Sequence, residues 1–320
     1  MSNPALSIGL PVYNGQRYLS KALDSLLNQE FEDFELIISD NGSNDRTEAI
    51  CREAAARDSR VRYLRSNENR GATWNFRRVR EASSGEFFKY AAYDDECYPA
   101  MLRKSMEVIR ADSSVALVYT RSEVIDENSA VVPPDCSPRW DSIATTANSA
   151  SVRLWHVLWW VLHGQACYGV IRSSFLRRVR PCVSVADDWV LLAQLAMLGK
   201  IVEVPEVLFR LRRHPANTWN GATTPLQVLQ WHNPEASRLE KVLPFRVAIM
   251  VEHMKSVSCL PLTLTEKMSC MPVACFTPPL RNFWIWALRK TGPLRKKLRA
   301  ATGWKALHPS DPDSQKSYAR

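Results

Sequence analysis

Apolar positions fall in two alternating patterns along the first two thirds of the chain. Ala5–Leu10, Phe34–Ser39, Val61–Leu64 and Phe87–Ala91 are short apolar runs closed by turn-forming residues, the pattern of buried strands. Between them, Tyr18, Leu19, Ala22, Leu23, Leu26 and Leu27 recur at helical spacing over Gln16–Asn28, and helices are expected over Arg46–Arg57 and Thr73–Ala82. Asn44 or Asp45 stands where a cap for the second helix belongs. Pro99 opens a fourth, with Met101, Leu102, Ser105, Met106 and Ile109 on one face. Strands and helices in strict alternation predict a Rossmann-like α/β layout, a mostly parallel sheet flanked by helices.

Past Asp112 the pattern loosens. Val115–Tyr119 reads as one more strand, and Asp126–Asn148, rich in Asp, Pro, Ser and Thr, as a long loop. Leu154–Leu162 predicts a helix, its tryptophans favoured for core packing over a sugar-stacking platform. Trp189, Leu191, Leu192, Leu195, Ala196 and Leu198 line a helix stopped by Gly199. Ile201–Val204 and Val207–Leu211 are two strand-like runs. Beyond Pro215, Asn217–Pro234 is turn-rich, Leu243–Val257 suits a helix, and Ser258–Pro279 mixes Pro, Cys and Met without a clear period.

Candidate chemistry sits where the strands end. Pro11–Asn14, Asp40–Asp45 and Asp94–Glu96 follow strands, and in open α/β sheets such ends converge on one crevice. Adjacent carboxylates repel and lose solvation on burial, so Asp94 and Asp95 require a positive neighbour. A hard divalent cation that also binds substrate phosphates would satisfy them; a solvated acidic turn capping the next helix is the equal alternative. A second acidic pair, Asp187–Asp188, stands at a helix start, where the helix dipole favours it as a cap.

Composition narrows the classes. The net charge of +9 points to an anionic partner. Eight Cys without a CxxC pair indicate neither a zinc site nor a disulfide framework. The N-terminus lacks a basic start and a long apolar core, and no window approaches the roughly 18 uninterrupted apolar residues of a spanning helix, so a cytoplasmic location is expected.

The segments PVYNGQRYLSKALDSLLNQEF, IISDNGSNDRT, NRGATWNFRRVREASSGEFFKYAAYDDECYP and ADDWVLLAQLAMLGKIVEVPEVLFRLRRHP resemble, in order, the inverting family-2 glycosyltransferases of the GT-A fold. The resemblance implies a transferase domain over 1–215, with a nucleotide-sugar half (1–110) and an acceptor half (111–215), followed by a mainly helical extension over 216–320. It implies that Pro11, Tyr13, Asn14, Asp40, Arg70, Asp94 and Arg212 serve the nucleotide-sugar donor. It implies further that Asp95 and His214 hold Mn or Mg, with Asp188 as general base and Asp187 supporting it. The leading Asp of the family's DxDD signature is Ala92 here, and the second Asp of its DDGS loop is Asn41. Gly164–Gly169 resembles the acceptor-facing loop.

Implied partners are a nucleoside-diphosphate sugar and a glycan or lipid-linked acceptor. Trp and clustered Lys/Arg over Arg281–Lys305 suit either an anionic membrane surface, which would place the protein at the inner face of the membrane, or an ordinary helix with a charged outer side. A nucleotidyltransferase would carry a Gly-rich basic loop after the first strand, which Gly9–Tyr13 does not supply. A nucleotide-sugar-binding protein without transfer activity is the non-enzyme alternative, opened by Ala92 and Asn41. Nucleic-acid binding is set aside for want of a reading motif.

Overall fold

In the computed structural model, which describes residues 3–132, 142–161, 164–180, 186–215, 227 and 244–290, strand and helix alternate as the pattern predicts. The order is β1 (Leu6–Val12), α1 (Leu19–Leu27), β2 (Phe34–Asp40), α2 (Thr47–Arg57), β3 (Val61–Arg65), α3 (Ala72–Glu81), β4 (Phe87–Tyr90), β5 (Glu96–Cys97), α4 (Met101–Ala111) and β6 (Val115–Ile125). Then come α5 (Ala150–Trp160), a 3-10 turn (Gln165–Tyr168), β7 (Val170–Arg172), α6 (Ser173–Leu176), α7 (Asp187–Leu198), β8 (Lys200–Arg212), α8 (Phe245–Cys259) and α9 (Leu264–Lys290).

The eight strands form one sheet in the order β3-β2-β1-β4-β7-β6-β8-β5. The β3-β2-β1-β4 half is wholly parallel, with Leu6 paired to Phe34 and to Phe87. The other half is mixed: β7 runs antiparallel to β4 and β6, and β8 runs parallel to β6. This is a mixed α/β sheet flanked by helices with a helical C-terminal segment, as the resemblance implies. Pro11 lies inside β1 without breaking it, because β4 pairs with β1 only from Leu6 to Gly9. At Pro11 the missing N–H faces no partner strand on that side.

Both faces of the sheet are covered. Leu19, Leu23 and Leu26 of α1 and Leu102, Met106 and Ile109 of α4 pack on one face, Val79 of α3, Val157 of α5 and Leu192 and Leu195 of α7 on the other. A third cluster joins Leu154 and Leu158 of α5, Ala193 and Met197 of α7, Val257 of α8 and Cys270 and Ala274 of α9. The C-terminal helices are thereby attached to α5 and α7.

Four expectations need correction. The two runs in Ile201–Leu211 are one strand, interrupted by a register shift where Val204 pairs with Thr120 and Val207 with Arg121; Pro205 falls in the gap. Glu96 leaves the acidic loop and enters β5, opposite Arg210 of β8. Of the α5 tryptophans, Trp155 lies outside, stacked on Trp159 at 5.8 Å, while Leu154, Val157 and Leu158 fill the core. The stretch without a period belongs largely to α9, a helix that contains Pro272, Pro278 and Pro279. Its buried side is a narrow track of small residues, Cys270, Ala274 and Thr277. Pro272 and Pro279 are exposed, so the carbonyls that lose their donors there can be hydrated. Within Asp126–Asn148, residues 126–132 fold back in a turn closed by Asp126 N–H on the Ala130 carbonyl (2.9 Å) and by Ala130 N–H on Asp126 Oδ1 (2.9 Å), and 133–141 lie outside the described residues.

Candidate active site

The loops after β1, β2 and β3 are tied together by side-chain hydrogen bonds. Asn14, at φ 51°, accepts from Asn44 N–H (3.0 Å) through Oδ1 and donates its own N–H to Ser43 Oγ (2.9 Å). Gly15 N–H reaches Thr47 Oγ1 (2.8 Å), and Gln16 N–H reaches Asp45 Oδ2 (3.1 Å), which delays α1 until Leu19. Asp45 also accepts from Thr47 N–H (2.9 Å), the local turn expected before α2.

Asp40 is fully buried at the end of β2. Its Oδ1 accepts from Ser43 N–H (2.9 Å), its Oδ2 from the Tyr63 hydroxyl (2.7 Å), and Arg65 Nε stands 3.4 Å away. The Tyr63 hydroxyl is held far above its ordinary range by burial and by that carboxylate. Asn41 explains its own departure from the family residue. Its amide donates to Asn69 Oδ1 (2.8 Å) and the Gly71 carbonyl (3.1 Å), while Oδ1 accepts from Arg70 N–H (3.0 Å). A carboxylate could make only the last of these contacts. Arg70 itself is exposed, its guanidinium 4.7 Å over the Trp74 ring. Gly42 is required twice over: φ is 75°, and a Cβ would lie 2.7 Å from the Glu68 backbone.

The acidic triplet after β4 divides by role. Asp94 Oδ2 meets His214 Nε2 at 2.9 Å, and Asp95 Oδ1 accepts from Arg212 N–H at 2.8 Å. Asp95 is buried, and burial together with Asp94 drives its carboxyl well above the usual range, while Lys89 and Arg212 work in the opposite direction. Glu96 is neutralised by Arg210 (2.5 Å) and by a close contact with Arg212. The Arg212 guanidinium, wholly buried, also donates to the carbonyls of Asp94 and Asp126, each at 2.7 Å. Arg212 therefore fixes the acidic loop from beneath. The Tyr18 ring packs 4.7 Å from His214 and 4.9 Å from the Arg212 guanidinium, and its buried hydroxyl has no hydrogen-bond partner among the described residues. Lys89, the polar break in an otherwise apolar strand, is fully buried; its Nζ donates to the carbonyls of Tyr90 (3.0 Å) and Tyr168 (2.7 Å).

Across the 3-10 turn lies the second pair. Ala186, with φ 72° in the left-handed region, turns the chain directly into α7, so Asp187 and Asp188 occupy its first turn. The N-cap residue is Ala186, which has no polar side chain to cap with. Asp188 Oδ1 accepts from the adjacent Trp189 N–H (2.9 Å), and burial pushes its carboxyl up to about 6 against the backbone N–H groups of Trp189 and Asp188. Gly164 is pressed against it: a Cβ there would lie 1.6 Å from Asp188 Oδ2 and 2.3 Å from Cγ. Asp187 Oδ2 accepts from Thr73 Oγ1 of α3 (3.2 Å), joining α7 to α3. The thiol of Cys167 is raised by burial and then by Asp188, with Asp95 adding to it, so the 3-10 turn lies between the two acidic pairs.

The structure thus gathers Asn14, Asp40 and Arg70 on one set of loops and brings Asp94, Asp95, Arg212 and His214 together on a second, with Asp187 and Asp188 beyond the turn. Pro11 is buried in β1 and Tyr13 half-buried just after it. Sequence reasoning missed Tyr63 and the Tyr18 hydroxyl; it placed Gly164 in an acceptor-facing loop without foreseeing its contact with Asp188. Lys89 carried a signal, a lone cation in the run FFKY.

The glycosyl transferase family 2 model matches residues 7–176, more than half the chain. Among curated relatives, an uncharacterised glycosyltransferase of Rickettsia typhi is 27% identical over 232 residues, covering 70% of this chain and 69% of its own. The GalNAc(5)-diNAcBac-PP-undecaprenol beta-1,3-glucosyltransferase of Campylobacter jejuni is 34% identical over 117 residues, covering 36% of this chain and 37% of its own. Among solved structures, residues 1–349 of Staphylococcus aureus TarS in complex with UDP-GlcNAc align with a TM-score of 0.59 at 16% identity, over 83% of this chain and 70% of that one. The fold is that of TarS residues 1–349. The chain belongs to glycosyl transferase family 2 and is a glycosyltransferase.

Proposed function

We propose that this protein is an inverting enzyme that moves a sugar from a nucleoside-diphosphate sugar to an acceptor hydroxyl, with Asp188 as general base. In the proposed step the acceptor oxygen bonds to the anomeric carbon as its proton passes to an Asp188 oxygen. The bond from that carbon to the diphosphate breaks, and the electron pair leaves with the nucleoside diphosphate.

The observation that carries this reading is the state of Asp188. Burial holds its carboxyl at about 6, close to the pKa a base needs near neutral pH, and it stands across one short turn from Asp94 and Asp95. Asp187, anchored to Thr73, supports it.

Asn14, Asp40 and Arg70, with Pro11 and Tyr13 at the end of β1, would receive the nucleoside. Arg212 serves the donor indirectly by fixing the acidic loop. Among the described residues no group of three or more His, Cys, Asp or Glu is arranged as a complete metal cage. The donor set nevertheless fits Mn or Mg, which keep waters and substrate phosphates as ligands. Asp95 carries a buried carboxyl raised by its neighbour, and the unpartnered Tyr18 hydroxyl lies beside the Asp94–His214 pair. Asp95 would hold the ion, with Asp94 and His214 adjacent. Once bound, the ion would neutralise charge on the departing diphosphate. The acceptor is a glycan or lipid-linked hydroxyl, the class printed in the name of the C. jejuni relative.

The test is transfer by Asp188→Asn with the donor nucleotide identified by titration of UDP, GDP and dTDP, each with and without Mn. Transfer is expected to fall by roughly 10²–10⁴-fold while nucleotide binding persists. Full activity in that variant would remove Asp188 as the base.

A further inference from the structure

The outward side of α9 is apolar along most of its length. Leu264, Met268, Phe276, Leu280, Phe283 and Trp284 are all exposed, from 75% for Leu264 to 44% for Trp284. The other exposed positions over 264–284 are Thr, Ser and Pro, so this face carries no charge for about 21 residues, on the order of 30 Å of helix. Large apolar side chains in one stripe mark an interaction surface, whereas single exposed ones do not.

Charge identifies the occupant. Between Lys267 and Ser310 the sequence holds nine Lys or Arg and no Asp or Glu. The whole chain has 42 cationic and 33 acidic residues, so this stretch accounts for all of the +9 and the remainder is neutral. The residues after Lys290 lie outside the described ones; their order in the sequence alone makes them the continuation of this helix's segment. An uncharged face with large aliphatic and aromatic groups, followed by concentrated cations, is complementary to an anionic lipid surface. A second copy of the chain would bring two like-charged segments together.

We infer that the outward face of α9 docks on an anionic bilayer. The inference rests on α9 and the charge distribution and stands apart from the assignment of Asp188. It also orients the site. Arg281, on the helix's inner side, donates to the Val161 carbonyl (2.6 Å) and lies 5.9 Å from the Trp189 ring, the residue after Asp188. A docked α9 therefore sets the Asp187–Asp188 end of α7 beside the membrane, the side from which a lipid-anchored hydroxyl would arrive. Among the described residues no helix is long and apolar enough to cross a membrane, so the contact is one of lying on the surface.

The test is flotation of the full chain with vesicles of phosphatidylglycerol and phosphatidylcholine, against phosphatidylcholine alone. Binding is expected for the anionic vesicles only, to weaken with salt, and to fall at least about tenfold in the double variant Phe276→Glu/Phe283→Glu. Both positions are exposed, so the variant should retain the wild-type melting temperature and nucleotide binding. Failure of the folded wild type to float would overturn the inference. So would equal flotation of the double variant, or a wild-type dimer that the double variant splits without any vesicle binding. Each of these readouts is independent of transfer.

Discussion

The two acidic regions of the site are built in opposite ways. The side chains of Asp40 and Asn41 are matched on both ends: Ser43, Tyr63 and Arg65 on one, Asn69, Arg70 and Gly71 on the other. Around Asp188 the matching is thin, the preceding residue is in a left-handed conformation, and a glycine is crowded against the carboxylate. The first region has its side-chain hydrogen bonds in place before any ligand arrives. The second keeps a carboxyl with a raised proton affinity at the cost of local strain. A pocket that recognises should be preorganised, whereas a group that must take a proton must not be over-stabilised as an anion.

The largest expected effect comes from removing the base: Asp188→Asn should cost roughly 10²–10⁴-fold in transfer. The same variant should be more stable than wild type at pH 8. The folded-state pKa of Asp188 is raised, so the native state gives up stability as pH rises through about 6, and a neutral amide avoids that loss. Stabilities at pH 8 and pH 4 should differ from wild type by up to about 3 kcal/mol and by less than about 1 kcal/mol, respectively.

Next in size is Gly164→Ala. The added methyl must displace the Asp188 carboxylate or the turn, so kcat should fall on the order of 10²-fold with donor affinity unchanged. A parallel loss of donor binding would mean that the turn serves both halves equally.

Asn41→Asp tests the matched region. It turns two donated hydrogen bonds into carboxylate–oxygen contacts with Asn69 and Gly71, and should lower stability by about 1–3 kcal/mol and weaken nucleotide binding with it. Wild-type stability in this variant would show that the loop contacts are dispensable.

The pH profile is milder. With one carboxyl at about 6 required in its ionised form, log kcat/KM should rise with unit slope below that pH and level off above it. The smallest effect is Ala186→Gly, which relieves the left-handed Ala and should stabilise by no more than about 1 kcal/mol, read in a denaturant midpoint.

Much of this was legible in the sequence, and the limits have physical causes. Strands β1 to β4 and helices α1 to α4 announce themselves because each buries a face with its own period. The acidic pairs were visible as strand-end and helix-start carboxylates. What the chain does not show is direction. Arg212 reads as a phosphate ligand by residue type, yet it folds under the loop because Glu96 enters β5 and needs a partner. Asn41 reads as a weakened Asp because its value lies in donors aimed at residues nearly thirty positions away. Tryptophans on α5 read as core until the leucines are seen to have filled it. The prolines hid α9, since hydration on the outer side of a helix leaves no trace in composition.

The Asn41 clamp also bears on how the protein ages. An Asn followed by Gly is the dipeptide most prone to cyclise, the Gly nitrogen attacking the side-chain carbonyl carbon and ammonia leaving to give Asp on hydrolysis. In the folded chain both ends of the Asn41 amide are gripped and Gly42 is held at φ 75°, so the attacking nitrogen cannot swing freely. Unfolding releases that grip, and each excursion gives the reaction a chance to occur. A molecule that has deamidated at position 41 then refolds without its clamp, so damage acquired while unfolded persists as a looser donor pocket.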